Sequence, residues 1–240
     1  MEANLKGKLY LLPVMLGDND PNEVLPVTVS RTMDFINDYV VENSKAARKF
    51  IKAINPNKVQ AELNLFELNK HTEEKEIKNF IKPLLEGKNM GLMSDAGCPG
   101  VADPGAVVVK LAHENGIQVV PLVGPSSILL AMMASGMNGQ SFAFNGYLPI
   151  DKSEKKQELK RLEKLSIDKN QSQIFIETPY RNNNILEDLI SILNPNTHIC
   201  VACDITLPTE FIKTATANQW KKIKVDLHKR PCIFVIHHLK

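Results

Sequence analysis

The sequence has few of the features that mark several broad classes of protein. Aromatic residues make up 6% of its 240 residues, tryptophan occurs once and cysteine four times. The longest apolar stretches, Leu9–Leu16 and Ser127–Ala134, are far shorter than the roughly 18 residues that cross a bilayer. Met1–Asn4 has no basic segment leading into an apolar one, so we expect no secretion signal. These absences predict a cytoplasmic protein with reduced thiols and no membrane segment.

A strong charge of one sign is also missing. The chain has 29 Lys and Arg against 27 Asp and Glu, and its net charge of +2 does not by itself indicate a nucleic-acid-binding protein. Residues 1–120 hold 14 basic and 16 acidic side chains, whereas residues 121–240 hold 15 and 11. This weak asymmetry allows an anionic partner for the second half without requiring one.

Short apolar segments alternate with longer amphipathic ones along the chain. This alternation predicts an α/β fold in which layers of helices flank a mostly parallel or mixed sheet. The predicted strands are Lys8–Leu12, Tyr39–Glu42, Leu63–Leu68, Asn89–Ser94, Ile117–Leu122, Phe142–Asn145, Gln173–Glu177, His198–Cys203 and Cys232–His237. The predicted helices are Lys45–Ile54, Glu73–Glu86, Gly105–Asn115, Ser126–Ser135, Ser153–Leu165 and Asn183–Leu193. The turn at Pro121–Pro125 predicts two lobes, residues 1–122 and 123–240, with a ligand cleft between them.

The most informative segment is Gly91–Gly105, which reads GLMSDAGCPGVADPG and lies at the carboxyl end of a predicted strand. Open α/β sheets bind their ligands at the carboxyl ends of strands. Four glycines allow close approach of the backbone to a ligand, and two prolines stiffen the loop. The chain has neither the G-x-G-x-x-G pattern nor the P-loop pattern, which disfavours a nicotinamide or nucleoside-triphosphate site.

SDAGCPGVADPG, together with the later VVPLVGPSS, resembles the tetrapyrrole methylase superfamily of S-adenosylmethionine-dependent methyltransferases. The resemblance is strongest to the branch that 2′-O-methylates a cytidine of small-subunit ribosomal RNA, whose loop reads S-D-A-G-T-P-x-x-S-D-P-G. Phe144–Pro149 (FNGYLP) and Phe175–Arg181 (FIETPYR) match further segments of that branch. The resemblance therefore implies a two-lobed methylase with a homodimeric assembly and ribosomal RNA or the small subunit as partner.

Two segments depart from the pattern of that branch. The segment Val14–Pro26 lacks the T-P-I-G-N-L motif that the branch has after its first strand. The segment Glu42–Lys45 reads E-N-S-K where the branch has E-D-T-R. Lys45 therefore replaces a planar, forked guanidinium with an ammonium, and the two groups are not equivalent in phosphate recognition. These changes affect the expected acceptor more than the donor, which is bound mostly by backbone.

By position, the resemblance implies a donor pocket for S-adenosylmethionine. Its expected residues are Pro13, Ser94, Asp95, Ala96, Gly97, Val101, Asp103, Gly124, Ser126, Ser127, Thr178, Ala202, Cys203 and Pro231. Carbonyl and carboxylate groups favour a sulfonium cation, and small residues leave room for adenosine. Ser126 and Ser127 are equally well explained as a helix cap after the Gly-Pro turn.

Methyl transfer to a ribose hydroxyl needs alignment of the two reactants and removal of one proton. Glu42, Asp95 and Glu177 are the candidate bases, since each lies at the end of a predicted strand, although a structural role is at least as good an explanation for each. Tyr180 and Arg181, with Lys45, are the candidate contacts to an RNA base and its phosphates.

Cys200 and Cys203 form a C-x-x-C, but they lie an odd number of residues apart on a predicted strand and should face opposite ways. We therefore expect no metal site. Two alternatives to the ribosomal RNA enzyme remain open at this level. One is a methylase of a small molecule such as a tetrapyrrole, and the other is a non-catalytic module that binds the donor.

Overall fold

Two five-stranded sheets, each in its own compact unit, organise the chain. The computed structural model describes residues 6–69 and 71–239, so the segment Met1–Asn4 lies outside the described residues. The units comprise Met1–Ser126 and Ser127–Lys240. Within the described ranges, no helix combines the length and apolar character needed to cross a membrane.

The first unit is a parallel sheet with helices on both faces. Its strand order is β3-β2-β4-β1-β5, and every neighbouring pair is parallel. The strands are β1 (Leu9–Leu11), β2 (Asp38–Val41), β3 (Asn64–Glu67), β4 (Met90–Met93) and β5 (Val119–Pro121). The helices are α1 (Pro21–Val24), α2 (Val27–Asp34), α3 (Ser44–Ile54), α4 (Glu74–Phe80), α5 (Lys82–Leu85) and α6 (Ala106–Glu114).

The alternation of side chains along β2 shows why this sheet is covered on both faces. Tyr39 and Val41 join an apolar cluster with α2 and α3, whereas Val40 joins the opposite cluster with α4, α5 and α6. All three side chains are buried. A strand buried on both faces reads as an apolar run, as expected for a parallel sheet between helices.

The second unit is a mixed sheet of order β6-β7-β10-β8-β9. Its strands are β6 (Phe142–Tyr147), β7 (Ser172–Ile176), β8 (His198–Cys203), β9 (Phe211–Thr216) and β10 (Cys232–His237). Its helices are α7 (Ser127–Ser135), α8 (Lys152–Lys169), α9 (Asn182–Ile192) and α10 (Ala217–Trp220). Only β6 and β7 pair in parallel, and β10 is antiparallel to both of its neighbours. The predicted α/β class with parallel or mixed sheets is thus confirmed.

Helices α8, α9 and α10 cover one face of the second sheet. Their core includes Trp220 and the stacked rings of Phe175 and Phe234, whose centroids are 5.9 Å apart. Helix α7 packs on β8, β9 and β10, and its Ser135 carbonyl accepts a hydrogen bond from Thr214 at 2.8 Å. The inner strands β7, β8 and β10 are almost wholly buried, whereas the edge strands β6 and β9 are only partly covered.

The single helix predicted over Glu73–Glu86 is wrong in one respect, because the structure has two helices that meet at Ile81. Pro83 has no backbone N–H to donate to the preceding turn, and its ring crowds the carbonyl four residues earlier. The chain therefore interrupts the first helix and restarts, with Pro83 in the first turn of α5.

Tyr39 offers a test of the buried polar contacts beside β2. Its hydroxyl donates to the Ile36 carbonyl at 2.7 Å, and the side chain is fully buried. We expect Tyr39→Phe to lower the free energy of unfolding by about 1–3 kcal/mol, since the carbonyl loses its partner. Urea denaturation followed by circular dichroism measures this change. Tyr147→Phe, at a side chain that is 60% exposed, should change stability little.

Candidate functional site

The carboxyl ends of the parallel strands bring the predicted donor residues of the first unit to one edge of the sheet. β2 and β1 both pair with β4, so the segments after Leu11, Val41 and Met93 leave the sheet side by side. Val14 and Gly97 then form an isolated antiparallel bridge with backbone hydrogen bonds of 2.9 and 3.0 Å. This bridge joins the loop after β1 to the central loop predicted from the sequence.

Two glycines allow the chain to pass closely here. Gly97 has φ of +74°, a left-handed conformation that favours glycine. Gly124 packs so closely against Pro13 that a side chain would not fit, since a Cβ at Gly124 would be 2.2 Å from the Cβ of Pro13. The Cys98 thiol donates to the Pro125 carbonyl at 3.4 Å. Pro13, Gly97 and the turn after β5 are therefore in one place.

The Asp103 side chain holds the central loop in shape through hydrogen bonds to the loop's own backbone. Its carboxylate accepts the backbone N–H of Gly100 at 2.8 Å and that of Gly105 at 2.6 Å. Between them Ala102 has φ of +61°, which is unusual for a residue with a side chain. The loop thus has a defined shape held by a charged acceptor, and Val101 at its tip is half exposed.

Three carboxyl groups with raised pKa values lie at this edge. Burial raises the pKa of Glu42, against the lowering effect of a hydrogen bond from the Asp95 backbone N–H at 3.2 Å, and the charges of Asp95 and Asp103 raise it further. Burial also raises the pKa of Asp95 and of Asp103. Partly desolvated carboxylates that repel one another favour a cation, because a cation relieves the repulsion.

A small pocket lies beside these groups. Its volume is about 20 Å³, which suits a water molecule and not a nucleoside. It is lined by Glu42, Asn43, Ser94 and Asp95 together with apolar side chains of α3. Lys45 is exposed in the first turn of α3, outside this lining.

A second group of predicted residues lies at one edge of the other sheet. Ile176 pairs with Ile233, and Cys203 pairs with Cys232, so the ends of β7 and β8 flank the start of β10. The structure therefore brings together Thr178, Ala202, Cys203 and Pro231. Ser127, another predicted donor residue, is the first residue of α7 and is not part of this group.

Glu177, directly after β7, forms an ion pair with Arg181, the last residue of the short 3-10 helix Pro179–Arg181. The Arg181 Nη2 donates to Glu177 Oε1 at 2.5 Å, and the backbone N–H of Thr178 donates to the same oxygen at 2.7 Å. The Glu177 side chain is 2% exposed and that of Arg181 is 35% exposed. This pairing favours a structural role for Glu177 over that of a base, and it occupies part of the Arg181 guanidinium.

A further polar network at this edge was not predicted from the sequence. Asp204 is buried, has φ of +50°, and accepts hydrogen bonds from Arg230 Nε at 2.8 Å and Thr209 Oγ1 at 2.9 Å. Arg230 also donates to the Thr209 carbonyl at 2.6 Å. An acid directly after a strand and an Arg-Pro directly before one were the available signals.

Cys200 and Cys203 are both buried in β8, but only Cys203 belongs to the cluster under α8, α9 and α10. The two side chains therefore face opposite sides of the sheet. Among the residues that the structure describes, no group of three or more His, Cys, Asp or Glu side chains could hold a metal ion.

Comparison with known families agrees with this geometry. A family model described as Tetrapyrrole (Corrin/Porphyrin) Methylases matches residues 29–220. The chain belongs to this family and is a methyltransferase, so the family and the enzyme class predicted from the central loop are confirmed.

Two of the curated proteins that the chain resembles have the same name. The chain is 28% identical over 236 residues to Ribosomal RNA small subunit methyltransferase I of Escherichia coli O157:H7, covering 97% of this chain and 78% of that protein. It is 33% identical over 208 residues to the protein of the same name in Bacillus subtilis, covering 86% and 67% of the two chains.

Among solved structures, uroporphyrin-III C-methyl transferase from Thermus thermophilus, complexed with S-adenyl homocysteine, has the same fold. Its TM-score is 0.56 at 16% identity, with coverage of 96% of this chain and 97% of that chain. This likeness concerns the fold alone.

The raised pKa of Glu42 predicts a pH-dependent stability. The folded state holds the Glu42 proton at pH values where the unfolded state has lost it, so wild-type stability falls as pH rises from the ordinary pKa through the raised one. Glu42→Gln keeps the acceptor oxygen and does not titrate. We expect its stability relative to wild type to increase across this window, as measured by urea denaturation from pH 4 to 8.

Glu67→Gln is the control of opposite sign. Hydrogen bonds from the side chain and the backbone of Ser44 lower the pKa of Glu67. Wild type should therefore be more stable than this variant above the ordinary pKa and should lose that extra stability as pH falls through the lowered one. A stability difference for Glu42→Gln that does not change with pH would contradict the assignment.

Proposed function

We propose that this protein transfers a methyl group from S-adenosylmethionine to a ribose 2′-hydroxyl of small-subunit ribosomal RNA. The observation that carries the proposal is its similarity, over most of its length, to proteins named Ribosomal RNA small subunit methyltransferase I. The reaction then belongs in the cytoplasm, where small subunits are found. The homodimer implied by the family resemblance stays a prediction.

The first unit fits the donor on chemical grounds. When bound, S-adenosylmethionine supplies a methyl group on a positively charged sulfonium. The carboxylates of Glu42, Asp95 and Asp103 lie at the strand edge with raised pKa values, and this concentration of negative charge suits such a cation. The solved relative that contains S-adenyl homocysteine supports the same class of donor.

Backbone groups supply the rest of the proposed donor contacts. In the first unit these contacts are assigned to Pro13, Ser94, Ala96, Gly97, Val101, Gly124 and Ser126, beside Asp95 and Asp103. In the second unit the resemblance assigns Ser127, Thr178, Ala202, Cys203 and Pro231. Hydrogen bonds within the loop, such as Ser94 Oγ to the Ala96 carbonyl at 3.0 Å, keep the backbone in shape. A preformed loop reduces the conformational entropy that binding would otherwise cost.

Glu42 and Asp95 are the stronger candidates for the base. A carboxylate whose pKa is raised toward neutrality accepts a hydroxyl proton more readily than an ordinary one. Both have raised pKa values, whereas Glu177 is held by Arg181 and by the Thr178 backbone. Alignment of the hydroxyl with the methyl carbon supplies the larger share of catalysis, on the order of 7–11 kcal/mol.

Tyr180, Arg181 and Lys45 are the proposed contacts to the acceptor. Tyr180 is 68% exposed, which leaves its ring accessible to a base. Arg181 is held at the surface by Glu177 and so presents its guanidinium in a fixed position. A tetrapyrrole acceptor is the second candidate considered from the sequence, and the family model and the fold likeness favour it, whereas the curated relatives are named for ribosomal RNA.

Methyl transfer to isolated ribosomal particles tests the function. Small subunits from a strain that lacks this gene, incubated with the protein and methyl-labelled S-adenosylmethionine, should gain a methyl group on one ribose, mapped by resistance of the adjacent bond to alkali. Subunits from the parent strain should gain none, because the site is already modified. Labelling of uroporphyrinogen III without labelling of subunits would support the tetrapyrrole alternative and overturn the proposal.

Gly97→Ala tests where the donor binds. A Cβ there would lie 3.3 Å from Leu16 and 3.7 Å from the Pro125 carbonyl, inside the proposed donor loop. We expect the Kd for S-adenosylmethionine, measured by calorimetry, to rise at least tenfold. Gly100→Ala is the matched control, since Gly100 also has positive φ, of +85°, but no neighbour within 4 Å. Both variants carry similar backbone strain, so equal donor affinities would contradict the placement.

A further inference from the structure

The basic segment, residues 221–230 (KKIKVDLHKR), concentrates positive charge in a chain of nearly neutral balance. It has five Lys and Arg against one Asp, whereas the whole chain has a net charge of +2. The side chains of Lys221, Lys222, Lys224 and Lys229 are exposed. Nothing in the proposed donor site uses this charge.

The basic segment is fixed to the start of α9. Asn182 Nδ2 donates to the Arg230 carbonyl at 2.6 Å, and Asn183 Oδ1 accepts from the Leu227 backbone at 2.8 Å. Leu227 is fully buried, so it anchors the middle of the segment in the core. The segment therefore has a defined position although most of its side chains face solvent.

Lys229 is held directly beside the predicted acceptor residues. Its backbone has φ of +60°, and its N–H donates to the Pro179 carbonyl at 3.0 Å. A left-handed lysine costs backbone energy, which surrounding contacts have to offset. The result is that the Lys229 ammonium lies 5.9 Å from the Tyr180 ring centroid. The His228 ring meets the same tyrosine edge to face, at 5.9 Å.

Asp226 and Arg230, the charged residues of the basic segment other than its lysines, have partners within the protein. Asp226 accepts hydrogen bonds from the Asn183 amide at 2.8 Å and the His228 backbone at 3.0 Å. Arg230 pairs with buried Asp204. Of the exposed lysines in the segment, Lys229 is thus the one that the structure places beside the Tyr180 ring.

We propose that Tyr180 and the basic segment together bind a single-stranded stretch of the RNA acceptor. An exposed aromatic ring beside fixed cations is the arrangement that binds unpaired nucleotides, by stacking on a base and pairing with its phosphates. The Tyr180 ring receives a base and Lys229 contacts a phosphate that flanks it. The exposed lysines earlier in the basic segment are available to phosphates further along the RNA strand. This inference rests on the proposed function and adds the basic segment to its substrate site.

Two variants separate the stacking contact from the ionic one. Tyr180→Leu should raise the Kd for a twelve-nucleotide oligocytidine RNA on the order of 5- to 150-fold, with an unchanged salt dependence. Lys229→Asn, whose new side chain tolerates the left-handed backbone, should weaken binding at low salt and reduce the slope of log K against log salt by about 0.7. Fluorescence anisotropy at several salt concentrations measures both quantities.

Lys156→Asn is the control for charge, because Lys156 is exposed on α8, outside the basic segment. It removes the same charge and should keep the wild-type salt slope. The inference is overturned if Lys229→Asn and Tyr180→Leu bind this RNA, and methylate small subunits, as wild type does. Absence of any methyl transfer by wild type to unmethylated subunits would instead overturn the proposed function, so the two failures are distinguishable.

Discussion

The pair of backbone hydrogen bonds between Val14 and Gly97 is the constraint on which the first unit's candidate site depends. Parallel strands alone would only place their loops at the same edge. The antiparallel bridge also makes the central loop turn back toward the loop after β1. Gly124 then packs on Pro13, and the Asp95 backbone meets Glu42. A side chain at Gly97 strains this meeting point, because its backbone is left-handed.

At the same edge, folding disfavours the ionised form of three carboxyl groups. Glu42, Asp95 and Asp103 are desolvated enough to raise their pKa values, so their ionised forms are destabilised in the folded protein. Natural proteins often accept lower stability where a site needs it. These three carboxyl groups lie at the strand edge, while the faces of the sheet are packed with buried apolar side chains.

Where apolar runs were continuous, the sequence was sufficient to predict elements. His198–Cys203 and Cys232–His237 are strands with the bounds that their patterns predicted. β9 (Phe211–Thr216) was missed, since an edge strand with Lys and Thr carries a weak apolar pattern. The central loop was identifiable because its residue types demand unusual backbone. Asp204 and Arg230 were not, because they meet only through the pairing of β8 with β10.

The place of β10 in its sheet sets an order for assembly during synthesis. β10 follows the other four strands in the chain, yet it lies between β7 and β8, which do not pair with each other. A nascent chain that has released β6 to β9 can therefore join only β6 with β7 and β8 with β9. Until Cys232–His237 leaves the exit tunnel, each hairpin or pair exposes an unpaired edge and an open apolar face. The second sheet is therefore completed only when β10 inserts between β7 and β8 and joins the two pairs of strands.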